Sequence, residues 1–154
     1  MKLSNEVKAI ARTIISINGW HTDSVKGLLS NLDDLIDDDF TVDYDGMEFR
    51  VINDNDILDI LTNELESGEY MLGCFNASFL SSILDVDSDA IESIQKSGAF
   101  EGLGKMIKGM DKVQEVAEDY ASADGYGHHF AGYDHEGHET DMVDGSFYHI
   151  FRIN

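Results

Sequence analysis

The chain contains no proline, a single cysteine, and few bases: 10 Lys and Arg stand against 31 Asp and Glu in 154 residues. The lone thiol, Cys74 in Tyr70-Met71-Leu72-Gly73-Cys74-Phe75, excludes an intramolecular disulfide and a thiolate metal cage, as suits a reducing compartment. No apolar run approaches the length of a membrane span, and Met1-Lys2-Leu3-Ser4-Asn5-Glu6 lacks the apolar stretch of a signal peptide. The expectation is therefore a cytoplasmic protein with no membrane association. Phosphate-cradling patterns are missing too: there is no Gly-rich loop ending in Lys-Ser/Thr and no dinucleotide fingerprint. Nor does any nucleophile stand in a recognisable catalytic spacing, so neither an enzyme nor a cofactor is expected.

What is present is an apolar content of 42%, ample for a core, beneath a formal net charge of −21. The acids recur along the chain instead of forming a tail. Lys26 to Arg50, Arg50 to Lys96 and Lys112 to Arg152 are three stretches with no Lys or Arg inside them. Such a surface repels phosphate, which excludes direct nucleic-acid binding and points to a basic partner.

Length and pattern predict one mainly helical α+β domain over residues 1–154, with a helical and hairpin body at 1–122 and a Gly-, His- and aromatic-rich β segment at 123–154. Val7, Ile10, Ala11, Ile14 and Ile17 follow Ser4 at helical spacing, and Asn18-Gly19 ends that helix. A second helix capped by Asp23 or Ser24 carries Val25, Leu28, Leu29, Leu32, Leu35 and Ile36, with Asp37, Asp38 and Asp39 at its carboxyl end, against the helix dipole.

The hairpin is expected at residues 40–52, where Asp45-Gly46 is a preferred two-residue turn. With that turn Phe40 faces Val51, Val42 faces Phe49 and Tyr44 faces Met47 on a core side. Asp43 then faces Glu48 on a wet side, a like-charge pair. Further helices are expected from Ile57, Asn76, Asp89, Phe100 and Lys112, with a short strand or extended stretch at Tyr70 to Phe75. Ser146 to Ile153 reads as a strand that pairs with a strand near His129 to Tyr133, with Asp144-Gly145 as the nearby turn.

Two motifs near carboxylates carry chemistry. Asp85-Val86-Asp87-Ser88-Asp89 begins like a calcium loop but has Ala90 at the glycine position and Lys96 at the closing acid, so helix capping accounts for it better. His128, His129, His135 and His138 lie beside Asp134, Glu136, Glu139 and Asp141 and supply the alternative: a small metal-binding protein or metal-dependent enzyme.

By magnitude, −21 equals the charge on about 36 Å of DNA duplex. A chain of this length folds to a diameter of roughly 40 Å. In size, acidity and lack of catalytic signature the chain resembles the small acidic phage- and plasmid-encoded proteins that imitate DNA and block restriction enzymes, CRISPR effectors or other host DNA-binding proteins. That resemblance implies a non-enzymatic inhibitor in the host cytoplasm, seated in the basic groove of a nucleic-acid-binding protein. The partner-binding candidates are Asp37, Asp38, Asp39, Asp43, Asp45 and Glu48, then Asp134, Glu136, Glu139 and Asp141. Self-association into a homodimer is left open.

Overall fold

Helix α1 (Asn5–Asn18) starts at its expected cap, where the Val7 N–H donates to Ser4 Oγ at 3.2 Å. Its stripe of Val7, Ile10, Ala11 and Ile14 is buried. The structure, a computed structural model, describes residues 4–18, 28–29, 31–32 and 37–154. Of the expected second helix, Leu28, Leu29, Asn31 and Leu32 are helical, with Leu28 and Leu32 buried. Its caps at Asp23 or Ser24, and Val25, Leu35 and Ile36, lie outside the described residues, as does Gly19. Asp37 and Asp38 form a bend and Asp39 opens a strand, so none of these three acids is itself helical, and the point where the second helix ends lies outside the described residues.

Strands β1 (Asp39–Tyr44) and β2 (Met47–Asn53) form the expected hairpin in the expected register: Phe40 opposite Val51, Val42 opposite Phe49, Tyr44 opposite Met47, and Asp43 opposite Glu48. Asp45 and Gly46 both take positive φ, 52° and 77°, the type I′ geometry that matches strand twist. Asp144 and Gly145 repeat it at 51° and 79°, between Val143 and Ser146.

The fold is a mainly helical α+β one, with eight helices and a four-stranded antiparallel sheet among the described residues. It comprises two compact units. The first joins Met1–Ile57 to Asp124–Asn154, and the second is Leu58–Ala123. In the first unit the sheet order is β1-β2-β4-β3, with β3 at Gly137–Glu139 and β4 at Tyr148–Arg152. The carboxyl-terminal strand therefore pairs with the hairpin on one side and with β3 on the other; residues 129–133 form no ladder with it, although the Tyr133 N–H donates to the Arg152 carbonyl at 3.2 Å.

Those residues belong instead to helix α8 (Tyr126–Phe130) and the turn after it. The reason is aromatic packing. Tyr126 and Phe130, four residues apart, share one helical side, and their rings reach His149 at 5.4 Å and Phe151 at 5.2 Å. Both sheet faces are consequently covered in part. Phe40, Val42, Phe49, Val51, Tyr148 and Ile150 pack with α1, Leu28 and Leu32, while Ile52, His149 and Phe151 are buried on the opposite face. The face expected to be wet is so only toward β1, where Thr41 and Asp43 are exposed.

The second unit runs through α2 (Ile57–Ser67), α3 (Glu69–Gly73), α4 (Ala77–Leu84), α5 (Ser88–Lys96), α6 (Phe100–Gly109) and α7 (Val113–Asp124). α3 replaces the extended stretch expected at Tyr70 to Phe75. It packs backbone to backbone on α6: a Cβ on Gly73 would collide with the Phe100 carbonyl, and one on Gly104 with the Glu69 carbonyl. Gln95 Nε2 ties α5 to this crossing, donating to the Gly73 and Phe75 carbonyls at 2.9 and 2.7 Å. Asp87 caps α5 by accepting the Asp89 N–H at 2.8 Å, the role expected of the calcium-like acids. Among the described residues no helix is long and apolar enough to cross a membrane.

Candidate functional site

All ten candidate acids fall in the first unit, and the sheet order divides them. Asp37, Asp38, Asp39, Asp43, Asp45 and Glu48 gather at the β1 edge and its hairpin turn, whereas Asp134, Glu136, Glu139 and Asp141 surround β3 at the other edge. Three strand spacings separate the edges, about 14 Å. Every one of these residues is exposed except Glu48, which is half-buried. Charged edge strands also resist strand addition, so part of this acidity has a purely protective use.

The acids are not equivalent. Asp39 makes two bonds with Arg50, from Nε at 2.9 Å and from Nη2 at 2.8 Å, and the same guanidinium lies 4.9 Å from the Phe130 ring centroid. This pair is partly shielded and bidentate, which makes Asp39 a stabilising residue. The Asp38 carbonyl accepts the Asn53 N–H at 2.8 Å, and its carboxylate faces Asn53 Nδ2 at 3.5 Å. Asp43 and Glu48, by contrast, face one another as like charges.

The bases are largely spent inside the molecule. Arg12 lies 3.9 Å from Asp141, Lys96 3.0 Å from Glu92, and Lys112 2.9 Å from Glu115. Lys108 and Lys105 both reach Glu69, at 3.0 and 4.0 Å. Arg152 stacks 3.6 Å from the Tyr133 ring centroid. Together with Arg50, seven of the eight Lys and Arg among the described residues thus have a local partner.

The histidines separate into two settings. His128 and His129 ride on α8, where the His128 ring lies 5.5 Å from that of His135. His138, on β3, groups with Asp134 and Glu136 instead: one donor atom from each of the three lies within 4.8 Å of the others. An imidazole and two carboxylates at that separation can share one divalent cation. His128, His129 and His135 fall outside this group.

A second arrangement was not foreseen from the sequence. His149 is 6% exposed, and its Nε2 lies 2.7 Å from Asp54 Oδ1; the carboxylate accepts, so this nitrogen carries the proton. Tyr126, Phe147 and Phe151 surround the imidazole, with ring centroids 5.4, 5.3 and 6.1 Å away. Beside it opens a cavity of about 270 Å³, walled by Asp124, Tyr126, His135, Glu139, His149 and Phe151. Gly125, Gly127 and Gly137 complete the wall. A Cβ on Gly127 would come within 2.5 Å of the Gly137 nitrogen, so glycine is what lets α8 close down on the 135–137 turn. The available signal was the alternation Phe147, His149, Phe151, which puts the histidine on the aromatic face of its strand.

Tyr148, on the other face, has its pKa raised, first by burial and then by the negative charge of Glu6; a hydrogen bond with Asn53 opposes the shift, and Asp38 and Asp37 add to it. No protein-family model matches the chain, no curated protein matches it and no solved structure matches it.

Proposed function

We propose that the protein is a non-enzymatic inhibitor that occupies the basic nucleic-acid-binding groove of a host defence protein, in the manner of phage-type anti-restriction or anti-CRISPR proteins. One observation carries this: exposed acids line both edges of a single sheet, while seven of the eight Lys and Arg among the described residues lie in local ion pairs or on a ring. Surface carboxylates so mounted attract Lys and Arg and release the counterions that a nucleic acid would release. The test is competition. The protein is titrated into restriction and CRISPR effector complexes with labelled duplex, and the released DNA is followed at rising salt. Displacement that weakens steeply with salt is expected. Duplex binding by the protein itself in a gel shift, or no displacement from any basic effector, overturns the proposal.

A second function is favoured by the Asp134, Glu136 and His138 group. Here a divalent cation of the zinc or manganese class would be held by two carboxylates and one imidazole, with open positions for water or substrate. Stoichiometric zinc in the purified protein, lost in a His138→Ala, Asp134→Asn variant, would put this function first.

A further inference from the structure

We infer that the cavity beside His149 is a socket for a single arginine side chain of the basic partner. The inference rests on the proposed binding of such a partner and names where one of its cations seats.

The first unit already contains a worked example of guanidinium recognition. Arg50 lies 4.9 Å from the Phe130 ring centroid while Asp39 takes its Nε and Nη2 protons, so the cation is held by a ring face and a carboxylate together. Arg152 repeats the ring half of the pattern on Tyr133 at 3.6 Å. The cavity presents the same two components, the Tyr126 ring with the carboxylates of Asp124 and Glu139, and among the described residues no Lys or Arg lines it. A neighbouring cavity of about 330 Å³ makes the contrast: it is also walled by Glu139, together with Asp141 and His138, but Arg12 lines it. One acidic hollow is lined by a cation of the chain's own, and the other, among the described residues, by none.

Size and rigidity fit the same occupant. About 270 Å³ lies at the lower end of small-molecule sites, too small for a nucleotide and ample for one long side chain. Its floor is fixed by the buried His149, bonded to Asp54, and by Phe151, which is fully buried. Asp124 and Glu139 are exposed while His149 and Phe151 are buried, so the carboxylates belong to the solvent-facing part of the wall and the rings to its buried part. The flat guanidinium suits that arrangement better than a compact ammonium, because it stacks and donates in plane at once.

The probe is acetyl-arginine-amide, titrated into the isotope-labelled protein and followed by NMR, with the citrulline counterpart as the uncharged control. Binding of roughly 1 mM is expected for one side chain. Shifts should concentrate at Tyr126, Glu139, His149 and Phe151, and citrulline should cause none. An Asp124→Asn, Glu139→Gln variant, altered only at exposed positions, should bind at least about tenfold more weakly while melting as the parent does. Equal binding of citrulline, shifts spread evenly over both sheet edges, or unchanged affinity in the variant would each overturn the socket. The two levels separate cleanly. If the socket variant still displaces DNA from an effector at full strength, the socket is wrong and the inhibitor proposal stands. If acetyl-arginine-amide seats in the cavity but no effector is displaced, the socket stands and the inhibitor proposal falls.

Discussion

Neutralising single acids of the hairpin should move stability in opposite directions, although each substitution removes the same charge. Asp43 sits directly opposite Glu48 on the antiparallel pair, an arrangement that costs about 0.2–1 kcal/mol. Asp43→Asn relieves it, and at about 2–4 °C per kcal/mol for a chain of this size the melting temperature should rise by roughly 0.4–4 °C. Asp39 instead makes the bidentate bond to Arg50, with side chains 33% and 22% exposed respectively. Partial shielding places that pair near the top of the surface range, about 1 kcal/mol. Asp39→Asn also leaves Arg50, stacked on Phe130, without its carboxylate, so a fall of roughly 2–4 °C is expected. Circular-dichroism melts of both variants in low salt and in about 1 M salt decide the matter. At the higher salt the screening length falls to about 3 Å, and the gain in Asp43→Asn should vanish. A gain that persists there, or an Asp39→Asn protein that melts like the parent, would refute the assignment of these effects to local charge pairs. Asp39 accordingly drops out of the acids that neutralisation should sacrifice without loss. The set that tests partner binding becomes Asp37, Asp43, Asp45 and Glu48, whose joint replacement by Asn or Gln should weaken effector binding and flatten its salt dependence.

Other expectations follow from particular contacts. Gly104→Ala forces a methyl group into the Glu69 carbonyl and should destabilise the protein by about 1–3 kcal/mol in urea melts; a neutral result would mean that α3 and α6 do not touch at backbone distance. Because burial and then Glu6 raise the Tyr148 pKa, the folded state holds its phenolic proton more tightly than the unfolded chain does. That stability is complete below about pH 10 and is lost as pH climbs toward the folded pKa. The gap between the parent and Tyr148→Phe should therefore shrink between pH 8 and roughly pH 11, and a constant gap would contradict the shift. Replacing His128 and His129 with alanine should leave both zinc uptake and effector binding unchanged, since neither belongs to the Asp134, Glu136 and His138 group; lost zinc in that variant would displace the assigned ligands.

Local chemistry alone determined a good part of this protein. The 40–52 register follows from Asp45-Gly46 and strict alternation, because a type I′ turn admits only one alignment of the strands beside it. Ser4 capping α1, Asp87 capping α5, and the helices from Ile57, Asn76 and Phe100 were legible for the same reason: their signals lie within one turn of the residues they fix. Choices between distant segments were not legible. That β4 inserts between β2 and β3, that Tyr126–Phe130 coils instead of extending, and that Glu69–Gly73 is helical all depend on partners many residues away: Phe151 for α8, and α6 for α3. A short apolar or aromatic run satisfies either period, so its burial partner decides. The site divides along the same line. The acids and histidines could be named from composition, but only the fold set Asp39 against Arg50, drew His138 to Asp134 and Glu136, and closed Tyr126, Glu139 and His149 around one cavity, because charge pairing and enclosure act through space and not along the chain.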